Sequence, residues 1–396
     1  VADSAASEET VSVRRRRSVS LLAFAALAAL VAVALWRTSE DNHGELRAVL
    51  REPVGVMGTS CRLALTVRAQ REERKAAAAL ANAEATLRRT EALLSAYLTE
   101  SEIGRLNAAA AGETVSLSDE ALTVLRAAER ASHTTRGAFD VTVRPLIELW
   151  RECARRGSPP SEEELLAARA ASRWDQLRIG ESGLTKLAAS ARVDLGGIAK
   201  GFGIDWALAD LEAAGAAGGL IDIGGDLRVF GRPPTDEFWR IGIRNPFGEG
   251  ELARLRITDA AVCTSGNYAR FVDIGGRRYS HIVDPRTART ADAVPAVTVM
   301  APTAAEADVW ATALSVLGRP GFALLPAEVE ALLVTGDAEN PKIACTTKFR
   351  ELLAESAAAI EVVSKGSDPV DLQEHAEPIG DAAPDRPYRT AQESTP

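Results

Sequence analysis

Hydrophobic and polar positions change their spacing several times along this chain, and each change predicts an element. Residues 18–36 (SVSLLAFAALAALVAVALW) follow four arginines, Arg14–Arg17, and contain no charge and no polar face. A run of that length crosses a bilayer, and the basic flank holds its start in the cytoplasm. It reads as an uncleaved anchor or as a signal helix, Ala32-Val33-Ala34 offering a cleavage site. No cysteine follows the run to carry a lipid. The expectation is a single-pass cell (inner) membrane protein with its domain on the extracytoplasmic side, or a secreted or periplasmic protein after cleavage.

Residues 37–51 are polar and read as a linker, so 1–36 is a basic segment plus anchor or signal. Residues 54–67 are strand-like, with a break at Gly58. From 72 to 98 alanines, leucines and charges recur at helical spacing. Ser101-Glu102 opens a short helix, Ser118 caps another that runs toward Thr135, and Pro145 stands at the start of a third. Ser161 with Glu164 three residues on forms a capping-box pattern. Short β-rich runs follow at 176–179, 191–195, 220–223, 239–243, 261–264 and 296–301, with a hairpin inside 265–290, and 304–317 reads as a helix. Long helices beside hairpin-spaced strands predict an α+β fold, with largely antiparallel mixed sheets flanked by helices, over residues 52–355. From 356 to 396 acidic residues, prolines and small residues recur without period, which predicts a disordered tail.

Composition narrows the function. In 396 residues, 46% are apolar, enough for a substantial core, and the formal charge of −9 argues against a nucleic-acid binder. Four cysteines (61, 153, 263, 345) and four histidines are scattered without metal-ligand spacing, so a zinc site is not expected.

Two stretches echo one another: VDLGGIAKGFGIDWAL from Val193 and LIDIGGDLRVFG from Leu220. Each has an apolar run, an Asp and a glycine pair. Glycine turns let backbone N–H groups approach anionic oxygens, although ordinary strand-ending turns have the same look. Asp308 and Thr312 stand four apart in a helix and share a face. A carboxylate and a hydroxyl are hard ligands that suit Mg²⁺, which completes its shell with substrate phosphates and water. Read alone, the pair is more often a solvated carboxylate and a packing residue. The imidazole of His281 suits proton transfer or a structural hydrogen bond. Asp140 beside Phe139 suits a ribose hydroxyl or a turn cap, and Tyr97 suits a flat ligand or the core.

Taken in order, the blocks VMGTS, LSAYLTESEIGRLN, GAFDVTVRPLIELW, VDLGGIAKGFGID, LIDIGGDLRVFG, AVCTSGNYARF, HIVDPRT and EADVWATALSVLG resemble the ApbE-type FAD:protein FMN transferases. The resemblance spans roughly residues 54–318. It implies that Met57 and Tyr97 border the flavin nucleotide and that Ala138-Phe139-Asp140 hold the adenosine half. It implies further that Asp194 and Lys200 contact FAD, and that the Gly197 carbonyl completes an Mg²⁺ site with Asp308 and Thr312. His281 and Ile282 would lie against the reacting half. The implied reaction moves FMN from FAD to a Thr or Ser hydroxyl of an exported acceptor protein of an electron-transfer system. AMP leaves, with Asp308 and His281 as catalytic residues and His281 as the candidate base. The alternatives are a flavin donor without turnover and a pyrophosphatase that splits FAD to FMN and AMP. The implied partners are FAD, the acceptor and, through the N-terminal helix, the membrane; nucleic acid is not among them. Asp308 is expected to be an exposed cleft carboxylate, dispensable for the fold. Two positions depart from the family pattern: Ala288 stands where Gly is usual, and Gly197 where relatives often carry Ala, Ser or Thr.

Overall fold

A nine-stranded sheet organises the chain. In a computed structural model that describes residues 45–68, 72–267, 271–356 and 359–366, its order is β1 (Arg47–Arg51), β2 (Cys61–Val67), β6 (Gly218–Ile223), β7 (Asp226–Gly231), β10 (Ala260–Gly266), β13 (Ala296–Ala301), β14 (Glu330–Gly336), β15 (Pro341–Thr346) and β17 (Glu361–Val363). Every pairing is antiparallel except β15 with β17. Three smaller sheets surround it: β3 (Thr114–Ser116), β5 (Gly183–Lys186) and β4 (Leu177–Ile179); β8 (Trp239–Arg244), β9 (Glu251–Ile257) and β16 (Leu353–Ser356); and the hairpin β11 (Phe271–Ile274) with β12 (Arg277–Ser280). The apolar run at 18–36 and the tail beyond 366 lie outside the described residues. Among the described residues no helix is long and apolar enough to cross a membrane.

The period of two along each strand divides the side chains between two layers. On β7, Leu227 and Val229 join the β8–β9 side with Ile241 and Leu255. Asp226 and Arg228, alternating with them, pair with residues of α6 (Ala199–Glu212). On β10, Cys263 and Ala261 enter the helix-side core and Val262 the opposite one. The helix side is covered by α1 (Glu73–Leu94), α6 and α7 (Ala304–Leu317). The remaining helices are α2 (Glu102–Ala108), α3 (Asp119–Thr134), α4 (Arg144–Arg156), α5 (Glu162–Ala171) and α8 (Thr347–Leu352). A separate cluster of Leu146, Trp150, Leu165, Ile274 and Val283 joins α4 and α5 to the β11–β12 hairpin.

The helix starts follow local sequence closely. Ser101, Ser118 and Ser161 cap α2, α3 and α5, and Ser161 forms the full reciprocal box with Glu164. Elsewhere the structure corrects the sequence reading. Residues 54–60 are a turn rather than a strand, with Gly55, Met57 and Gly58 at positive φ. The first long helix ends at Leu94. Residues 191–195 pair with no strand: the amide and carbonyl of Val193 bond to the Asn107 side chain, and the Asp194 amide donates to the Val141 carbonyl. Arg47–Arg51, inside the polar segment, is strand β1, and Glu361–Val363, inside the acidic segment, is β17.

Helices α6 and α7 meet at their first turns. A Cβ on Gly201 would lie 2.4 Å from the Ala304 carbonyl oxygen and 2.4 Å from Ala305 Cα, so only glycine allows the crossing. The four N–H groups that begin a helix have no partner within it, and here each helix supplies acceptors for the other. Asp205 of α6 accepts from the Ala304 and Ala305 amides of α7 at 2.8 and 3.0 Å. Asp308 of α7 accepts from the Gly201 amide of α6 at 3.2 Å. Gly201→Ala is therefore expected to lose about 1–3 kcal/mol in urea unfolding, the usual range for overpacking. Gly203→Ala, whose Cβ would meet nothing closer than Thr90 Cγ2 at 3.3 Å, is expected to lose less. Equal losses would contradict the close crossing.

Candidate functional site

The first glycine pair is a close-approach device. Asp194 Oδ1 accepts from the Gly196 amide at 2.9 Å, which turns the chain into α6. A Cβ on Gly197 would lie 2.8 Å from Thr312 Oγ1 and 3.2 Å from Phe139 Cε2. Gly197, Thr312 and Phe139 are thus in mutual reach, although they come from three separate sequence blocks. A larger residue at 197 would crowd the Thr312 hydroxyl, which gives this chain a physical reason for glycine there. The second pair works differently. Gly224 and Gly225, at φ +65° and +95°, form the two-residue turn that joins β6 to β7, the primed-turn geometry that glycine favours. That turn delivers Asp226.

Asp226 pairs with Lys200 on α6, and its other oxygen accepts from the Thr264 amide at 3.0 Å. Lys200 Nζ also lies 3.9 Å from Asp308 Oδ1. Arg228, two residues along β7, pairs with Asp205 at 2.7 Å. Three carboxylates against one ammonium and one guanidinium leave a formal charge of −1 in this cluster. Asp308 is only 3% exposed, not the open cleft carboxylate expected from its place in the sequence. Burial pushes its carboxyl above the usual range, and Lys200 and the Gly201 amide pull it back in part.

The donor set fits a Mg²⁺ ion. Asp308 keeps Oδ1 beyond hydrogen-bond distance of Lys200, Thr312 stands one helical turn on, and Gly197, lacking a Cβ, leaves open the space beside the Thr312 hydroxyl. One carboxylate, one hydroxyl and one carbonyl are hard oxygens, and the cluster's negative charge favours a cation. Among the described residues no group of three or more His, Cys, Asp or Glu is arranged to hold a metal.

A second constellation surrounds Asp194. Its Oδ2 accepts from Tyr97 Oη at 3.0 Å and from Arg144 Nη1 at 3.1 Å. Arg144 and Arg151 place their guanidiniums 4.8 and 5.0 Å from the centre of the Tyr97 ring, and Arg151 also donates to Tyr97 Oη at 2.9 Å. Burial, then the Asp194 charge, holds the Tyr97 phenol above its ordinary pKa, with Arg151 opposing. Tyr97 still leaves 56% of its surface exposed, so it stands at the rim rather than in the core.

The other candidate residues have partners of their own. Met57 occupies the turn before β2 at φ +49°; its amide donates to Glu91 at 2.9 Å, and its sulfur lies 3.4 Å from where a Cβ on Gly203 would be. Ala138 and Phe139 are buried behind Gly197. Asp140 is engaged by its own neighbours, accepting from the Thr142 amide and hydroxyl at 2.8 and 2.7 Å and from Ser132 at 3.1 Å. His281 is exposed just after β12, and the Ile282 amide donates to Ser280 Oγ at 3.1 Å. Downstream of them, Arg286 Cγ comes within 3.6 Å of a Cβ placed on Gly137, which ties this loop to the Ala138-Phe139 segment. Ala288 adopts φ +64°, the left-handed backbone where glycine is usual, and its carbonyl accepts from Trp150 Nε1 at 3.0 Å. The loop keeps its turn, and the methyl is buried against α4 and α5. Sequence reasoning missed Asp226, Asp205, Arg144 and Arg151; the alternation on β7 and the i, i+7 spacing on α4 were the available signals.

Comparison with known proteins follows the same segments. The model of the ApbE family matches residues 57–333. An FAD:protein FMN transferase of Vibrio cholerae is 35% identical over 268 residues, covering 66% of this chain and 80% of the relative. The solved flavin transferase ApbE from Vibrio cholerae superposes with a TM-score of 0.67 at 29% identity, covering 78% of this chain and 99% of the other. An ApbE protein from Thermotoga maritima gives 0.68 at 28% identity, covering 78% of this chain and 100% of the other. The family match spans both glycine turns, the β11–β12 hairpin and helix α7, and this chain belongs to the ApbE family.

Proposed function

We propose that this protein transfers the FMN portion of FAD to a Thr or Ser hydroxyl of an exported acceptor protein, releasing AMP, with Mg²⁺ in its site. The observation that carries the reading is the meeting of Gly197, Thr312, Asp308 and Lys200 at the α6–α7 crossing, in a chain whose relatives are named FAD:protein FMN transferase. Asp308, the Thr312 hydroxyl and the Gly197 carbonyl would hold Mg²⁺, which when bound neutralises charge on the diphosphate. Lys200 adds a fixed positive charge beside it, and Asp226 keeps that ammonium in place. Ala138 and Phe139 border the adenosine half, Met57 and Tyr97 the flavin half, and Asp194 orients Tyr97. His281 and Ile282 lie toward the reacting end, where His281 takes the proton of the attacking hydroxyl. The acceptor oxygen forms a bond to the FMN phosphorus, the P–O bond to AMP breaks, and AMP carries away the electron pair. The basic segment and apolar run at 14–36 support an extracytoplasmic site for this chemistry.

The direct test mixes the protein, FAD, Mg²⁺ and an exported redox protein, followed by mass spectrometry of the acceptor. One FMN phosphoester per acceptor site with stoichiometric AMP supports the proposal. FMN and AMP appearing without acceptor gain would make the protein a pyrophosphatase, and unchanged FAD would defeat the reading altogether.

Asp308→Asn tests the metal ligand and the burial together. The amide keeps an oxygen for the Gly201 N–H but loses the charge, so transfer should fall roughly 10²-fold or more, the scale of losing a few kcal/mol of charge stabilisation. Because burial raises the Asp308 pKa in the folded state, wild-type stability from this group is present at low pH and lost as pH rises through the raised value. The Tm of the Asn variant relative to wild type, measured without metal, should therefore be near zero at about pH 3 and increase toward neutrality. A relative Tm that falls over that range would contradict the assignment.

His281→Ala separates catalysis from binding. With His281 as the base, FAD titration should give near-normal affinity while single-turnover transfer slows ~10²–10⁴-fold. Normal turnover would return His281 to a structural role.

A further inference from the structure

The segment 191–195 has strand composition yet belongs to no sheet, and the reason lies in one side chain. Asn107 Nδ2 donates to the Val193 carbonyl at 2.8 Å, and the Val193 amide donates to Asn107 Oδ1 at 2.7 Å. This two-bond pairing imitates the exchange between adjacent antiparallel strands. Val193 is fully buried, so water does not replace either bond. Asparagine suits the task because its amide offers a donor and an acceptor side by side.

Asn107 is itself fixed. It lies in the last turn of α2, and its carbonyl accepts from Lys186 Nζ at 2.9 Å. Lys186 is 2% exposed, and an ammonium at a helix C-terminus also complements the helix dipole. The opposite end of α2 is locked to the Tyr97 segment: Ser101 Oγ donates to the Ser95 carbonyl at 2.6 Å, and a Cβ on Gly104 would lie 2.0 Å from the Leu98 carbonyl oxygen. One short helix therefore references both partners of the Tyr97–Asp194 hydrogen bond.

We propose that Asn107 is a positioning residue for the FAD site, its amide standing in for a missing strand at Val193 and so setting where Asp194 meets Tyr97. The proposal rests on the reading that Asp194 and Tyr97 border FAD. The hydrogen bonds of the Asn107 side chain go to Val193 rather than to Asp194 or Tyr97, so its influence passes through the Val193 backbone.

The test uses the full chain, with Asn107→Ala and Asn107→Asp compared against wild type in three measurements: amide hydrogen exchange at Val193, KM for FAD, and kcat for transfer. In Asn107→Ala the Val193 amide should exchange faster. KM for FAD should rise roughly ten- to hundredfold, the scale of leaving one or two buried polar groups unpaired, with kcat changed far less. Asn107→Asp keeps the size and the acceptor for the Val193 amide but sets a carboxylate against the Val193 carbonyl, so it should also raise KM, and it serves if the Ala variant does not fold. A role confined to stability would lower Tm and leave KM where it was, and that result overturns the proposal. Unchanged exchange at Val193 overturns it as well. Wild-type protein that neither binds FAD nor transfers FMN would instead defeat the functional reading, and the exchange comparison would still decide whether Asn107 holds Val193.

Discussion

The reciprocal capping of two helix starts is the constraint on which the site depends. Asp205 of α6 takes the first amides of α7, and Asp308 of α7 takes an amide of α6. Buried carboxylates are expensive unless hydrogen-bonded donors surround them, and two helix N-termini supply both donors and positive potential. The arrangement requires that the helices touch backbone to backbone, which Gly201 permits. Once they do, Gly197, Lys200, Asp308 and Thr312 are brought into one small volume by the same contact that closes the core.

The sheet completes the electrostatics. Its alternation turns Asp226 and Arg228 toward α6, where they pair with Lys200 and Asp205. Leu227 and Val229, one residue away from each, fill the opposite layer. A shift of one residue in β7 would exchange those sets, burying two charges against leucines and removing the partner of Lys200. The hairpin turn at Gly224-Gly225 guards against that slip, because it fixes the register in which Ile223 faces Asp226. The two glycine pairs thus serve one site in different ways, one by letting backbone approach a hydroxyl, the other by fixing a strand.

Much of this was legible in the sequence where the physics is local. The caps at Ser101, Ser118 and Ser161 depend on residues within three positions, and each forms as its spacing predicts. The shared face of Asp308 and Thr312 follows from helical geometry alone. Burial of Asp308 was not legible, because it depends on α6, a hundred residues earlier. Residues 191–195 have a strand's composition but meet the side chain of Asn107 instead of another strand, and no local pattern distinguishes the two. β1 and β17 were hidden for a related reason: short stretches inside polar or acidic segments, such as Arg47–Arg51 and Glu361–Val363, become strands where an existing edge offers hydrogen bonds. Ala288 at φ +64° shows the converse, a local preference overridden by packing against Trp150 and its neighbours.

The central claim is that the α6–α7 crossing is where the metal and the FAD diphosphate meet. Its most direct test is a crystal of the protein grown with FAD and Mn²⁺ in place of Mg²⁺, measured for anomalous scattering. The account predicts an anomalous peak within bonding distance of the Asp308 carboxylate, the Thr312 hydroxyl and the Gly197 carbonyl, with diphosphate density on its open side. FAD bound elsewhere, or a well-occupied Mn²⁺ peak away from those three oxygens, would contradict it.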